Sequence, residues 1–337
     1  MILGCGDGTP KRELYNVSYD PTRELYEDFN QKFEEHWMKT HGEKITVIQS
    51  HGGSGDQAKK VIEGQNADVV TLALAYDINA ISEQSDLIQP DWQQEFPNNS
   101  CPYTSTIVLL VRKGNPKNIK DWDDLLREDV GLITPNPKTS GGARWNYLAA
   151  WAFEMKRQLG GNFDALKDPA KKAEIAAADK AAEEFVKKLH KKAVDMPTGA
   201  RGATNMFVRY GQGDVLLAWE NEALLTTVGL NNSDYEIIIP SISIVAEPPV
   251  GMVDKNVDKN NTRELATAYL QYLYDNVGQE IAAKHFYRPS NPDILAKNKH
   301  LFKDLELVTV DDIFGGWKEA QKKHFAEGGI FDKMMDK

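Results

Sequence analysis

Short apolar runs fit for strands alternate with amphipathic stretches fit for helices along most of this chain, and that alternation limits the fold to helices packed on sheets, the α/β class. Leu14–Val17, Ile45–Ile48, Val69–Leu72, Thr106–Val111, Gly131–Thr134, Val215–Ala218, Glu236–Ile239 and Val250–Val253 read as strands. From Pro21 a helix carries Leu25, Phe29, Phe33 and Trp37 at four-residue steps, the spacing of one buried stripe. Further helices are predicted from Gly55 to near Gly64, over Gly142–Arg157, Asp179–Lys191, Ala203–Tyr210, Arg263–Tyr274 and Gly278–His285, with a final one over Asp311–Phe325. Asp164–Lys180, rich in Lys, Ala and Asp and without aromatics, reads as a solvated surface insertion. A chain of 337 residues exceeds what one hydrophobic core usually serves, so two lobes are expected. The expected division is a leader or anchor over 1–13, a first lobe from 14–104 and 245–337, and a second from 105–244. The chain would cross near Tyr103–Ser105 and return near Ser243–Pro248.

Four strand-to-helix or loop-to-helix junctions carry the chemistry. Gln49-Ser50-His51-Gly52-Gly53-Ser54-Gly55 follows a strand and opens a helix, and Ser54 with Gln57 has the spacing of a capping box. Pro135–Trp145 does the same, with a Ser140 hydroxyl ahead of Gly141 and Gly142. Asp20-Pro21-Thr22 places proline at a first helical position, and Thr198–Thr204 precedes an amphipathic segment. A helix start offers unpaired N–H groups and a positive partial charge, and glycine lets a ligand reach the backbone. Two such junctions in each expected lobe predict a cleft whose walls present donors to a small anion.

Other chemistries fit poorly. The net charge of -10 argues against broad contact with nucleic-acid phosphates, and any anion must be held by local dipoles. Gly52–Gly55 lacks the Lys-Ser/Thr ending of a P-loop, and Ser54 is not in a G-x-S-x-G elbow. A serine hydrolase using Ser54 or Ser140 is the distant alternative, and no partner base stands out in the sequence. His51 reads as a backbone-bonded loop residue; the seven histidines show no metal-ligand spacing, and no cofactor is expected. Arg144 and Arg201 are expected to brace the glycine loops through backbone carbonyls. Cys101 reads as a partly buried small residue.

The segments Asn16–Tyr26, Ser50–Gly55, Ser140–Tyr147, Gly213–Glu222, Phe286-Tyr287-Arg288-Pro289 and Phe314-Gly315-Gly316-Trp317 resemble those of bacterial periplasmic sulfate-binding proteins, from Leu14 to the end. That resemblance implies a two-lobed type II periplasmic-binding-protein fold closing on dehydrated sulfate, without metal or counter-cation. Its partners would be the sulfate ion and the permease subunits of a membrane ABC importer, and a monomer is expected. Carried over by motif, sulfate would meet the N–H of Asp20, the hydroxyl and N–H of Ser54, the Ser140 hydroxyl, and the N–H groups of Gly141, Gly142 and Ala200. The Trp219 indole N–H completes the set. Thiosulfate is the main alternative ligand, and molybdate is another oxyanion to weigh. Ile2-Leu3-Gly4-Cys5 resembles the end of a lipoprotein signal, which would place a lipid on Cys5 of an extracytoplasmic protein.

Overall fold

β1 (Arg12–Tyr19) and β2 (Ile45–Gly52) run parallel in register from Arg12↔Ile45 to Tyr19↔Gly52 in a computed structural model that describes residues 12–336. Arg12 and Glu13, assigned above to a leader, therefore already pair in the first strand, while Cys5 lies outside the described residues. β3 (Val69–Thr71) lies parallel on the other side of β1, and β11 (Val250–Met252) pairs antiparallel with β3. In the order β11-β3-β1-β2 the chain adds β2 on one side of β1 and β3 on the other, and open α/β sheets leave a crevice at the carboxyl ends of the strands at such a switch point. α1 (Arg23–His41), α2 (Ser54–Ile62) and α3 (Ala75–Ser85) follow these three strands. Leu25, Phe29, Phe33 and Trp37 are all buried, and Tyr269 meets Phe29 and Phe33 edge-on at 5.1 Å. Each such ring removed from water contributes roughly 1.5–3 kcal/mol.

The second sheet has the order β7-β6-β8-β5-β9: Ala193–Asp195, Leu132–Ile133, Val215–Trp219, Ile107–Arg112 and Tyr235–Ile238. Its central strands β8 and β5 are buried and apolar on both faces because helices cover both. α4 (Gly141–Gln158) and α5 (Lys172–Lys191) pack on one side. α6 (Ala200–Val208) lies on the other, with Ala203 and Phe207 against Ile133 and Leu216. α7 (Glu220–Leu224) leaves the end of β8 directly. Between the sheets, Ser105 and Ala246 exchange two backbone hydrogen bonds of 2.9 Å, and β4 (Tyr103–Thr104) pairs with β12 (Arg288–Pro289).

The region Asp164–Lys180 is largely exposed, as a solvated insertion should be, and two short 3-10 turns in it lead into α5, which begins at Lys172. The first turns of that helix are exposed and its buried stripe starts at Ala178, so the sequence announced it only from Asp179. Two expectations need correcting. The helix expected over Asp311–Phe325 is broken, because Gly315 (φ 69°) and Gly316 (φ 90°) end Val310–Phe314 before the chain restarts at Trp317. Finally, the last stretch of 245–337 packs on the second lobe. β13 (Glu306–Val308) joins β10 (Ile242–Ile244), and Val310, Phe325, Phe331 and Met334 share a core with Trp145, Tyr147 and Trp151 of α4. Their apolar faces were legible and so was α4; that the one covers the other was not.

Candidate anion site

Four chain segments converge where the sheets face each other. Asp20 follows β1, Ser54 opens α2 after β2, Ser140-Gly141-Gly142 opens α4, and Ala200 opens α6. With Tyr19, Pro21, Gly52, Gly53 and Ala73 they line one small cavity. It offers about 170 Å³ of atom-free space, part of it open to solvent. That is room for a compact ion of a few atoms. No lysine, arginine or histidine is among these lining residues.

The helix starts give the cavity its donors. The first-turn N–H groups of α2, α4 and α6 have no acceptor within their own helices, and three positive helix ends face one volume. Ser140 is the N-cap of α4: its Oγ accepts the Ala143 N–H at 3.3 Å, which leaves its own proton free to donate. Ser54 behaves differently from the capping box expected of it. Gly53 is the N-cap, and the Gln57 amide donates instead to the Ser18 carbonyl and to Ser50 Oγ. The Ser54 hydroxyl accepts the Ala73 N–H at 2.9 Å and donates to Asp77 Oδ2 at 2.5 Å. Its single proton is thus directed to Asp77, and the Ser54 N–H is the group turned to the cavity by helix geometry.

Trp219 is not among the lining residues but lies directly against Gly142, which is. A methyl group on Gly142 would stand 2.3 Å from its Nε1, so only glycine lets the indole nitrogen come so close to the helix start. The ring is buried, and its N–H is a buried donor without a partner among the described residues. Such a group costs roughly 1–3 kcal/mol if it stays unpaired. A bound acceptor would satisfy it. The structure therefore gathers Asp20, Ser54, Ser140, Gly141, Gly142 and Ala200 around one cavity, with Trp219 against Gly142 at its edge.

Basic side chains stand behind the cavity rather than in it, while Asp20 is the acidic residue among its lining. Arg144 Nε donates to the Pro137 carbonyl at 2.9 Å, the bracing expected of it, and its Nη1 reaches Asp77 Oδ1 at 3.0 Å from the other lobe. Arg201 braces through carboxylates rather than carbonyls, with bidentate bonds of 2.8–2.9 Å to Glu222 and of 2.8 Å to Glu24 of the first lobe. Burial alone would lower the Arg201 pKa, but Glu222 and Glu24 hold it above its usual value. Burial raises the Asp20 carboxyl, against the opposing pull of Arg23 and Arg201. His51 sits at the end of β2 and not in a loop; burial pushes its pKa down to about 4, and its Nδ1 has no partner among the described residues. Cys101 is buried, with its thiol on the Asn99 and Glu247 carbonyls.

Sequence reasoning missed three contributors. Asp77, Ala73 and Tyr19 shape the cavity, yet the helix that bears Asp77 was not foreseen at all. No local spacing marks a buried carboxylate whose partners, Ser54 and Arg144, lie 23 and 67 residues away.

Comparison with known proteins completes the description. The profile of the bacterial extracellular solute-binding proteins matches residues 14–288. A sulfate-binding protein of Salmonella typhimurium is 54% identical over 322 residues, covering 96% of this chain and 92% of that protein. A thiosulfate-binding protein of Pseudomonas aeruginosa is 44% identical, covering 99% and 95%. Among solved structures, the sulfate-binding protein SubI of Mycobacterium tuberculosis superposes with a TM-score of 0.79 at 29% identity, covering 93% of this chain and 99% of that one.

Proposed function

The chain belongs to the bacterial extracellular solute-binding proteins, in the branch that holds sulfate-binding members, and on that premise we propose that it captures sulfate outside the cytoplasm and delivers it to an ABC importer. The observation that carries this reading is a small cavity faced by three helix starts, with a buried, unpartnered indole N–H packed against its lining residue Gly142. The proposed contacts are the N–H groups of Asp20, Ser54, Gly141, Gly142 and Ala200, the Ser140 hydroxyl and the Trp219 indole. All of these are donors. Sulfate at neutral pH carries no proton, so every oxygen accepts; phosphate usually keeps one, and among the proposed contacts its proton would find no acceptor, at a cost of about 1–3 kcal/mol. The anion charge is offset by helix dipoles and polarised peptides, with Arg144 and Arg201 braced at one remove.

The molecule works as a non-enzymatic receptor in this reading. Ser54 points its proton at a carboxylate that is itself held by Arg144, an arrangement that fixes the serine rather than activating it. It acts as a monomer, divided near residues 104/105 and 244/245, with its last segment carried by the second lobe. Lipidation of Cys5 would tether it to the membrane. Thiosulfate is the second reading, because the relatives include thiosulfate-binding proteins at 44% identity.

Calorimetry on ligand-stripped protein with sulfate, thiosulfate, molybdate and phosphate decides among these. Sulfate should bind most tightly, and phosphate weaker by about tenfold or more, since 1.4 kcal/mol is a factor of ten. Tighter binding of thiosulfate would reassign the ligand, and no heat with any oxyanion would remove the proposal.

A further inference from the structure

Phe286-Tyr287-Arg288 lies between the lobes, and no part of the anion reading uses it. The chain enters this segment at Phe286 with φ 65°, a conformation that bulky residues avoid. The consequence is an extended stretch whose successive side chains go opposite ways. Phe286 packs with Leu224 of α7 and with Phe302 on the second-lobe side. Tyr287 turns to the first lobe, where its hydroxyl accepts the Tyr19 O–H at 3.3 Å, and its ring lies 4.6 Å from that of Tyr103. Arg288 turns back: Nε donates to Glu220 Oε2 at 2.6 Å and Nη2 to Glu220 Oε1 at 2.8 Å. Its guanidinium also stacks 5.3 Å over Phe302 and donates to the Lys303 carbonyl at 3.0 Å.

The two residues so gripped are the chain neighbours of two proposed anion donors, one from each lobe. Tyr19 immediately precedes Asp20, and Glu220 immediately follows Trp219. Tyr19 and Trp219 also touch, with ring centroids 5.6 Å apart. A bidentate guanidinium–carboxylate pair fixes orientation as well as distance, and here the carboxylate side is only 3% exposed.

We propose that Tyr287 and Arg288 are positioning residues for anion capture: Arg288, through Glu220, sets the Trp219 indole, and Tyr287, through Tyr19, sets the Asp20 N–H. The inference rests on the reading of Trp219 and Asp20 as donors to the anion. It makes one short segment between the lobes hold a donor of each lobe at the spacing the ligand needs.

Arg288→Lys keeps the positive charge and loses the fork. The experiment compares Arg288→Lys, Trp219→Phe and the double variant by sulfate calorimetry, and follows the Trp219 indole N–H resonance in ligand-free protein. Arg288→Lys should weaken sulfate by about tenfold and shift that resonance before any ligand is added. In the Trp219→Phe background the same change should leave affinity within about twofold, because its effect passes through the ring. Equal losses in both backgrounds would overturn the assignment and leave Arg288 a stabiliser of the fold. If Trp219→Phe alone retained full affinity, the sulfate role of Trp219 would fall. The positioning role would then be judged by the resonance, and an unmoved indole in Arg288→Lys would overturn it. Should Arg288→Lys fail to fold, Glu220→Gln goes through the same cycle with the same outcomes. For the other half, Tyr287→Phe should move the Asp20 amide resonance and weaken sulfate, and an amide left in place would overturn it.

Discussion

Trp219 is a large apolar side chain at the end of a buried strand, and its position alone would make it core. What separates it from the buried Trp122 and Trp145 is the fate of its N–H. Those two donate to the Ile242 and Ala73 carbonyls at 2.8 Å, while the Trp219 N–H has no partner among the described residues. Trp219→Phe should therefore weaken sulfate by about tenfold to a hundredfold, the loss of one hydrogen bond to a charged group. The melting temperature without ligand should change little, because no protein partner is lost. A large drop in melting temperature with unchanged affinity would make Trp219 a core residue. Gly142 is tested in the same way. In Gly142→Ala the new methyl meets Trp219 Nε1 at 2.3 Å, so the indole must move, and sulfate affinity should fall by at least about tenfold. Retained affinity would show that the indole N–H is not part of the site.

At the scale of elements, the site depends on where helices begin, and the fold depends on what α4 buries. Its middle turns carry Tyr147 and Trp151 against His324, whose Nδ1 meets the Tyr147 hydroxyl at 3.1 Å, and Tyr147 also packs against His190 of α5. Burial lowers the pKa of His190 to about 4, and burial with Lys323 lowers that of His324 to about 3. Both titrate near about 6.5 in an unfolded chain, which then binds protons that the native protein refuses. The stability these neutral imidazoles allow is complete above about pH 6.5 and is lost as pH falls toward the folded values, by up to about 1.4 kcal/mol per pH unit for each histidine. Urea midpoints should fall between pH 7.5 and pH 5, and His324→Gln should make that fall shallower. An unaltered slope in the variant would exclude His324 as a source of acid sensitivity.

The whole molecule is described in a closed state. Arg144–Asp77 and Arg201–Glu24 span the lobes, the Trp145 indole reaches the Ala73 carbonyl at 2.8 Å, and a methyl on Gly53 would collide with the Thr139 carbonyl at 2.8 Å. An anion held by donors from both lobes favours this state over any open one. Small-angle scattering should show a smaller radius of gyration with saturating sulfate than without it, and an unchanged profile would count against the clamp. No histidine lines the cavity, and His51, its pKa pushed down to about 4, stays neutral from about pH 5 to 8; the acidic group in the lining is Asp20, whose carboxyl burial raises. Sulfate affinity should be nearly flat across that window. At lower pH it should decline, because Glu24, held below its usual pKa by Arg201 against the cost of burial, loses its charge and with it the bridge across the lobes. A steep change near pH 6 would place a histidine in contact with the ligand.

Local periodicity and local chemistry are properties of short runs of residues, and these were readable along the chain. The four-residue stripe of α1 made that helix certain, and the glycine and serine junctions marked Asp20, Ser54, Ser140 and Ala200 as helix starts, because an unpaired first-turn N–H is a property of a few consecutive residues. Resemblance, not spacing, added Trp219. Which of these residues meet was settled by packing alone. It turned the Ser54 hydroxyl to Asp77, gave Arg201 two carboxylates, laid Val310–Met334 on α4, and set Tyr287 and Arg288 beside Tyr19 and Glu220. These partners are tens to hundreds of residues apart, and any buried carboxylate or apolar face along the chain is a chemically adequate match for them. The choice is made by the packing of the two sheets, where one closed arrangement satisfies all these groups together.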